Sequence, residues 1–235
     1  MCKKNCWQSG RSQRSQCSSL SIGLSYISHS KTETHIQHSE GLRLLRLIDA
    51  RYFSHVLCSE IETEACGRPF FTNRHADFNI SHSKNMIAVG YVPSYAPSDF
   101  TPCIGCDIQF MDERKNMDGI AKRAFSSAER QFLVSAADSV ERLTRFYQIW
   151  TFKESYIKLH GLSVFDMLKA PDFTCAFFQE DSAFCQYRLG NDASERYIVC
   201  CMWKTPNCAE NAGKEARPEI CWFSESTLSC RILRQ

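Results

Sequence analysis

No stretch of the 235 residues approaches the ~20 consecutive apolar positions that a membrane-spanning helix needs, because the longest candidates are broken by Arg, Asp or Ser. The first thirty residues hold Lys3, Lys4, Arg11 and Arg14 but no apolar core of a secretory signal, so export is not expected and a cytoplasmic location is. A surplus of charge is missing too. The formal net charge of +2 gives no reason to expect a nucleic-acid partner, since such proteins concentrate basic charge. No short-period repeat is visible. The Cys103/Cys106 pair has CxxC spacing, yet no second CxxC or Cys/His pair completes a tetrahedral zinc site.

What is present is a chain with 43% hydrophobic residues, enough for one substantial core or two small ones packed together. Its 14 cysteines fall in apolar stretches such as Tyr197-Ile198-Val199-Cys200-Cys201-Met202-Trp203. There a reduced Cys behaves as a small hydrophobe, which favours a reducing compartment.

Residues 1–30 are rich in Ser, Gln and Cys and read as a poorly specified arm with a short strand near Ile22 to Ile27. From Glu40 to about Glu60, Leu42, Leu45, Leu47, Ile48, Phe53, Val56 and Leu57 share a helix face, with Arg43, Arg46 and Arg51 on the polar side. Gly67-Arg68-Pro69 turns the chain. Phe78 to Ser83 and Met86 to Val92 then form a hairpin around Lys84-Asn85. Three prolines between Pro93 and Pro102 mark the best boundary, dividing an N-terminal unit at 31–97 from a C-terminal unit at 98–235.

After this boundary come a strand at Ile104 to Ile108, a helix opened by the Ser126/Glu129 capping-box pair, and a long helix from about Glu141 to His160 stopped by Gly161. Strands follow at Phe173 to Phe178, Phe184 to Leu189 and Tyr197 to Trp203. This order specifies an α+β fold rather than repeating βαβ units. Two halves of similar size meeting at 93–102 suit a two-lobed protein with its site at the junction.

Strand alternation puts Asp107 and Gln109 on one face, where a carboxylate can ligate a hard cation such as Mg²⁺ or simply end a strand. In Trp150-Thr151-Phe152-Lys153-Glu154-Ser155-Tyr156-Ile157-Lys158, Glu154 and Lys158 are four apart on one helix face. They form either a solvated ion pair or part of a site, and the interleaved aromatics argue against free exposure. Ser81 and His82 beside a hairpin turn can donate to phosphate oxygens, and Arg46 and Arg68 can grip them bidentately.

Five ordered blocks, Gly67-Arg68-Pro69, Phe78 to Ser83, Gly105 to Gln109, Phe125 to Glu129 and Trp150 to Lys158, resemble the surfactin-synthetase-activating class of 4′-phosphopantetheinyl transferases, which have holo-acyl-carrier-protein synthase activity. The resemblance implies a pseudo-dimer of two similar α+β lobes in one chain, with coenzyme A in the cleft between them. It also implies transfer of 4′-phosphopantetheine from coenzyme A to a serine of an apo acyl or peptidyl carrier protein, with release of adenosine 3′,5′-bisphosphate. Such reactions serve fatty acid, polyketide or nonribosomal peptide biosynthesis.

By the same resemblance Asp107, Gln109 and Glu154 hold Mg²⁺, and Glu154, Lys158 and Glu129 are catalytic. Arg46, Arg68, Ser81, His82, Lys153 and Lys158 bind coenzyme A. Arg46 and His82 match the 3′-phosphate region, and Arg68 matches a position near the adenine. Glu129 also has its capping-box role. A monomer is expected, with Arg114, Lys115, Lys122 and Arg123 as candidates for meeting an acidic carrier protein. Two readings from other classes stay open: a catalytically inactive coenzyme A or carrier-protein binding module of the same fold, favoured by Gln109, and a zinc-binding regulator built on the cysteines.

Gln109 stands where the family often has a third acidic metal ligand. An amide oxygen brings no charge, so the site attracts Mg²⁺ less without the pyrophosphate. Gln109→Glu is expected to lower the Mg²⁺ concentration giving half-maximal transfer, and Asp107→Asn to nearly abolish activity. Rate measured against Mg²⁺ for the three proteins checks both.

Overall fold

The computed structural model describes residues 21–26, 34–52, 60–64, 67–73, 76–93, 103–113, 116–175, 182–190, 196–204, 219–222 and 229–234. Two four-stranded sheets lie face to face, with helices on their outer faces. The first sheet takes β1 (Ser21–Tyr26), β4 (Ala76–Ser83), β5 (Met86–Pro93) and β9 (Glu219–Trp222) in the order β4-β5-β1-β9. The second takes β6 (Ile104–Phe110), β7 (Ser182–Gly190), β8 (Tyr197–Lys204) and β10 (Ser229–Arg234) in the order β10-β7-β8-β6. A small ribbon pairs β2 (Ile61–Thr63) with β3 (Pro69–Phe71). The fold is α+β, with every pairing antiparallel except that of β1 with β9. Thus the short strand expected near Ile22 to Ile27 is present as Ser21–Tyr26, an interior strand of the sheet flanked by residues from the far end of the chain.

Period-two alternation builds the layers. On β5, Met86, Ala88 and Val92 enter the core between the sheets, while Ile87, Val89 and Tyr91 face α1 (Thr34–Tyr52) with Leu44, Leu45 and Ile48. On β8, Val199, Cys201 and Trp203 enter the intersheet core. Ile198, Cys200 and Met202 instead join the core formed with α2 (Met117–Ala124), α3 (Ser127–Val134) and α4 (Ser139–Leu159). Cys103, Cys106, Cys175, Cys185, Cys200 and Cys201 form no disulfide, and Cys106, Cys185, Cys200 and Cys201 are buried as core residues. Cys106 is in the intersheet core while Cys103 packs against the helical one. Among the described residues no group of three His, Cys, Asp or Glu side chains could hold a metal, and no helix is long and apolar enough to cross a membrane.

The hairpin turn is closed by Lys84 at φ 50°, and Gln37 of α1 donates to the Lys84 carbonyl at 2.9 Å. The expected first helix is present but begins earlier, at Thr34; residues 53–59, expected to continue it, lie outside the described residues, as do 94–102 of the expected boundary. The Ser126/Glu129 capping box forms, and α4 is opened by Asp138, which accepts from the Glu141 amide at 2.7 Å. Gly161 follows α4 at φ 63°, a left-handed conformation that suits a residue without Cβ. One expected strand is corrected: residues 173–175 form a turn, and 176–178 lie outside the described residues. Asp172 Oδ1 accepts from the Thr174 amide at 2.8 Å and from its hydroxyl at 2.5 Å, a local bonding pattern that competes with a sheet ladder.

Gly105 fixes how α4 approaches β6. A Cβ there would sit 1.9 Å from the Ser155 carbonyl oxygen and 2.7 Å from the Leu159 nitrogen, both backbone atoms that cannot swing away. Gly161 has open space around the corresponding position and only its positive φ to satisfy. Gly105→Ala is therefore expected to cost about 3 kcal/mol or more by overpacking. Gly161→Ala should cost roughly 1–2 kcal/mol. Urea unfolding of both variants checks the order.

Candidate active site

β6 is an edge strand of the second sheet, and its outward N–H groups need acceptors. Alternate residues of β4 supply them. Asp77 Oδ2 accepts from the Ile104 amide at 2.8 Å, Asn79 Oδ1 from Cys106 at 2.9 Å, Ser81 Oγ from Ile108 at 3.2 Å and Ser83 Oγ from Phe110 at 2.9 Å. The intervening Phe78 and Ile80 face α1. A polar period of two within Asp77-Phe78-Asn79-Ile80-Ser81-His82-Ser83 thus stitches the two sheets along one seam.

On β6 the same alternation sends Ile104, Cys106 and Ile108 into the intersheet core. Gly105, Asp107 and Gln109 take the opposite face, where Gly105 abuts the last turns of α4. Asp107 is 2% exposed. Its Oδ1 accepts from Lys158 Nζ at 2.7 Å and from the Ser81 hydroxyl at 2.9 Å, and its Oδ2 from the Gln109 amide at 3.2 Å. Lys158 also donates to Ser81 Oγ at 3.2 Å and the Cys106 carbonyl at 3.1 Å. Ser155 fixes the helix here by donating to the Cys200 carbonyl at 2.9 Å. Glu154, one turn before Lys158, is half-buried.

Burial pulls the Lys158 pKa down, but the carboxylates of Asp107 and then Glu154 outweigh it and leave the group above its usual value. The lysine is a cation at neutral pH. Its stabilising contribution is complete below the ordinary lysine pKa and is lost only as pH rises through the folded value. His82 is exposed to a greater degree; partial burial, then the Lys158 cation, hold its imidazole below the ordinary value, against the pull of Asp107.

Arg68 locks the seam at its other end. Its Nη1 donates to the Lys158 carbonyl at 2.7 Å and its Nη2 to the Ile104 carbonyl at 2.8 Å and to the Asp77 carboxylate. Burial raises the Asp77 pKa, and the Arg68 guanidinium offsets only part of that rise. Arg68 therefore holds the end of α4 onto β6 through the backbone of Lys158, a role that its turn-forming Gly67-Arg68-Pro69 context does not reveal.

Glu129 and Lys153 are brought together with each other, not with this cluster. Glu129 is fully buried, and Lys153 is 1% exposed with its Nζ 3.2 Å from Glu129 Oε2. Lys153 also donates to the Met167 carbonyl at 3.2 Å, while Glu129 accepts from the amides of Ser126 at 2.7 Å and Phe173 at 2.9 Å. The pair ties α3 and α4 to the turn at Asp172 and to the 3₁₀ helix Val164–Lys169. Arg46 is exposed on α1, and Lys122 and Arg123 are exposed in the last turn of α2; Arg114 and Lys115 lie outside the described residues.

The segment from β6 to β8 is similar to known proteins. The family model described as the 4′-phosphopantetheinyl transferase superfamily matches residues 103–202. Among curated relatives, 4′-phosphopantetheinyl transferase Sfp of Bacillus subtilis is 37% identical over 101 residues, covering 42% of this chain and 40% of that protein. HetI of Nostoc is 29% identical over 106 residues, covering 43% and 41%. NpgA of Emericella nidulans is 29% identical over 119 residues, covering 39% and 35%. The chain spans about half or less of the length of the curated relatives it matches. The matched segment contains Asp107, Gln109, Glu129, Lys153, Glu154 and Lys158, whereas Arg46, Arg68, Ser81 and His82 precede it.

Lys153 and Lys158 sit in different electrostatic settings, and the fully buried Lys153 is open to a stability test. Removing one member of a buried ion pair leaves an uncompensated charge at a cost of about 3–5 kcal/mol. Lys153→Met is expected to destabilise the protein on that scale, and adding Glu129→Gln, which keeps an acceptor for the amides of Ser126 and Phe173, to recover much of the loss. Urea denaturation of the single and double variants checks it.

Proposed function

We propose that the chain transfers the 4′-phosphopantetheine group of coenzyme A to a serine of an apo acyl or peptidyl carrier protein. The observation that carries this reading is the meeting of Asp107, Lys158 and Ser81 where β4, β6 and α4 converge, with Gln109 and Glu154 on the same side. The superfamily match to 103–202 supports it. On this reading the chain is a pseudo-dimer of α+β lobes at about 31–97 and 98–235, to which the strands at 21–26 and 219–222 add, and coenzyme A lies in the cleft along the seam. It works as a cytoplasmic monomer, with no nucleic-acid or membrane partner, and presents Lys122 and Arg123 to an acidic carrier protein.

The donor set suits Mg²⁺. Asp107 and Glu154 are two carboxylates, and the Gln109 amide lies against the Asp107 oxygen that Lys158 does not occupy. Mg²⁺ ordinarily takes one or two protein carboxylates and completes its octahedron with water and phosphate oxygens. Asp107, Glu154 and Gln109 would hold it, and when bound it would spread the negative charge that develops on the pyrophosphate.

The remaining work falls to side chains. The carrier serine Oγ bonds to the phosphorus bearing the pantetheine arm as the bond from that phosphorus to the bridging oxygen breaks. Adenosine 3′,5′-bisphosphate departs with the bridging oxygen. Glu154 takes the serine proton, because Lys158 is already protonated and held so by its neighbours. Lys158 instead neutralises the departing phosphate. His82, neutral beforehand, and Arg46 meet the 3′-phosphate region. Arg68 stands near the adenine, with three of its five N–H groups already committed within the protein. Glu129 and Lys153 act from behind, by fixing the helix that carries Glu154.

Incubation with coenzyme A, Mg²⁺ and a panel of apo-carrier proteins, read by intact mass, tests the function. The expected result is addition of one phosphopantetheine to at least one carrier, and its near-complete loss in a folded Glu154→Gln variant. Wild-type turnover by that variant would remove Glu154 as the base, and no mass gain on any carrier would contradict the function itself.

A further inference from the structure

Resting on the reading of Asp107 as a cation ligand, we infer that Ser81 is a positioning residue for that carboxylate and not a contact to coenzyme A. The argument is one of hydrogen-bond capacity. A serine hydroxyl has one proton to donate and two lone pairs to accept with. Two of the three neighbours of Ser81 Oγ, the Ile108 amide at 3.2 Å and the Lys158 ammonium at 3.2 Å, can only donate. The third, Asp107 Oδ1 at 2.9 Å, can only accept while ionised. The direction of every bond is therefore fixed: Ser81 accepts twice, and its single proton points at Asp107. Nothing is left with which to bind a phosphate oxygen.

The arrangement also selects which oxygen of Asp107 faces a cation. Oδ1 is held by both Ser81 and Lys158, whereas Oδ2 meets the Gln109 amide at the longer distance of 3.2 Å. An amide side chain can turn its oxygen inward as readily as its nitrogen. Oδ2 is thus the oxygen that can accept a metal. Ser81 is anchored in turn by β4, whose register places it beside Ile108, so the carboxylate takes its orientation from the first sheet although it belongs to the second. His82, the next residue, points to the opposite face of β4 and is free of this duty.

Calorimetric titration with Mn²⁺, used in place of Mg²⁺ for its tighter binding to oxygen donors, separates positioning from contact. Loss of a group that orients a metal ligand typically costs 10–100-fold in metal affinity. Ser81→Ala should lower Mn²⁺ affinity by about tenfold or more. Ser81→Thr should restore it. Ser83→Ala is the control: it loses the same class of bond, to the Phe110 amide, at a residue outside the site. It should keep wild-type affinity. If Ser81→Ala does not fold, Ser81→Cys, whose thiol is a weak donor, takes its place with a loss expected to be smaller.

Unchanged Mn²⁺ affinity in the Ser81 variants would overturn the inference. So would a raised KM for coenzyme A with unchanged metal affinity, which would make Ser81 a direct ligand, or absence of Mn²⁺ binding by the wild type. If Mn²⁺ binds as expected but no carrier gains mass, the inference stands and the transfer reading fails.

Discussion

The free edge of β6 governs the rest of this structure. A strand at the margin of a sheet exposes N–H groups that must find acceptors, and here they find them not on another backbone but on Asp77, Asn79, Ser81 and Ser83 of β4. Side-chain acceptors hold the two strands adjacent without merging the sheets. The sheets can then stack on their apolar faces while their polar edges meet along a seam. That seam is where a buried carboxylate is affordable, because Asp107 finds a hydroxyl and an ammonium waiting for it.

The long helix contributes through two lysines five residues apart. Lys153 turns inward and closes a fully buried pair with Glu129, while Lys158, in the last turn, emerges at the seam and keeps 27% of its side chain exposed. At 100° per residue the two point to opposite sides of the axis, so one helix serves a fully buried pair on one side and the seam pair with Asp107 on the other. Gly105 lets the helix lie close enough for this, and Arg68 clamps its end. Positioning is thus distributed over Arg68, β4, β6 and α4, which explains why residues on both sides of the 93–102 stretch share one cluster.

Periodicity and local caps made much of the fold legible in advance. The 78–92 hairpin, the Ser126 capping box, α4 with Gly161 behind it and the strands at 184–189 and 197–203 all rest on signals within a dozen residues. The expected strand at 173–178 misled because its apolar residues hid the bonding of Asp172 to Thr174. Of the candidate site, the shared face of Asp107 and Gln109 followed from alternation. The Arg68 clamp and the Glu129–Lys153 pair did not, since each joins residues far apart in the chain by contacts that no local pattern encodes. The alternating polar residues of β4 carried a readable signal, but a sequence alone does not say that their partners are backbone amides 27 positions onward.

Amide hydrogen exchange, with and without coenzyme A and Mg²⁺, tests most directly whether the seam is the ligand site. The account predicts that the amides of Ile104, Cys106, Ile108 and Phe110, already slowed by their β4 acceptors, slow further on addition of coenzyme A, together with residues 81–83 and the last turn of α4. Protection confined to surfaces away from β4 and β6, or an unchanged pattern at saturating coenzyme A, would contradict it.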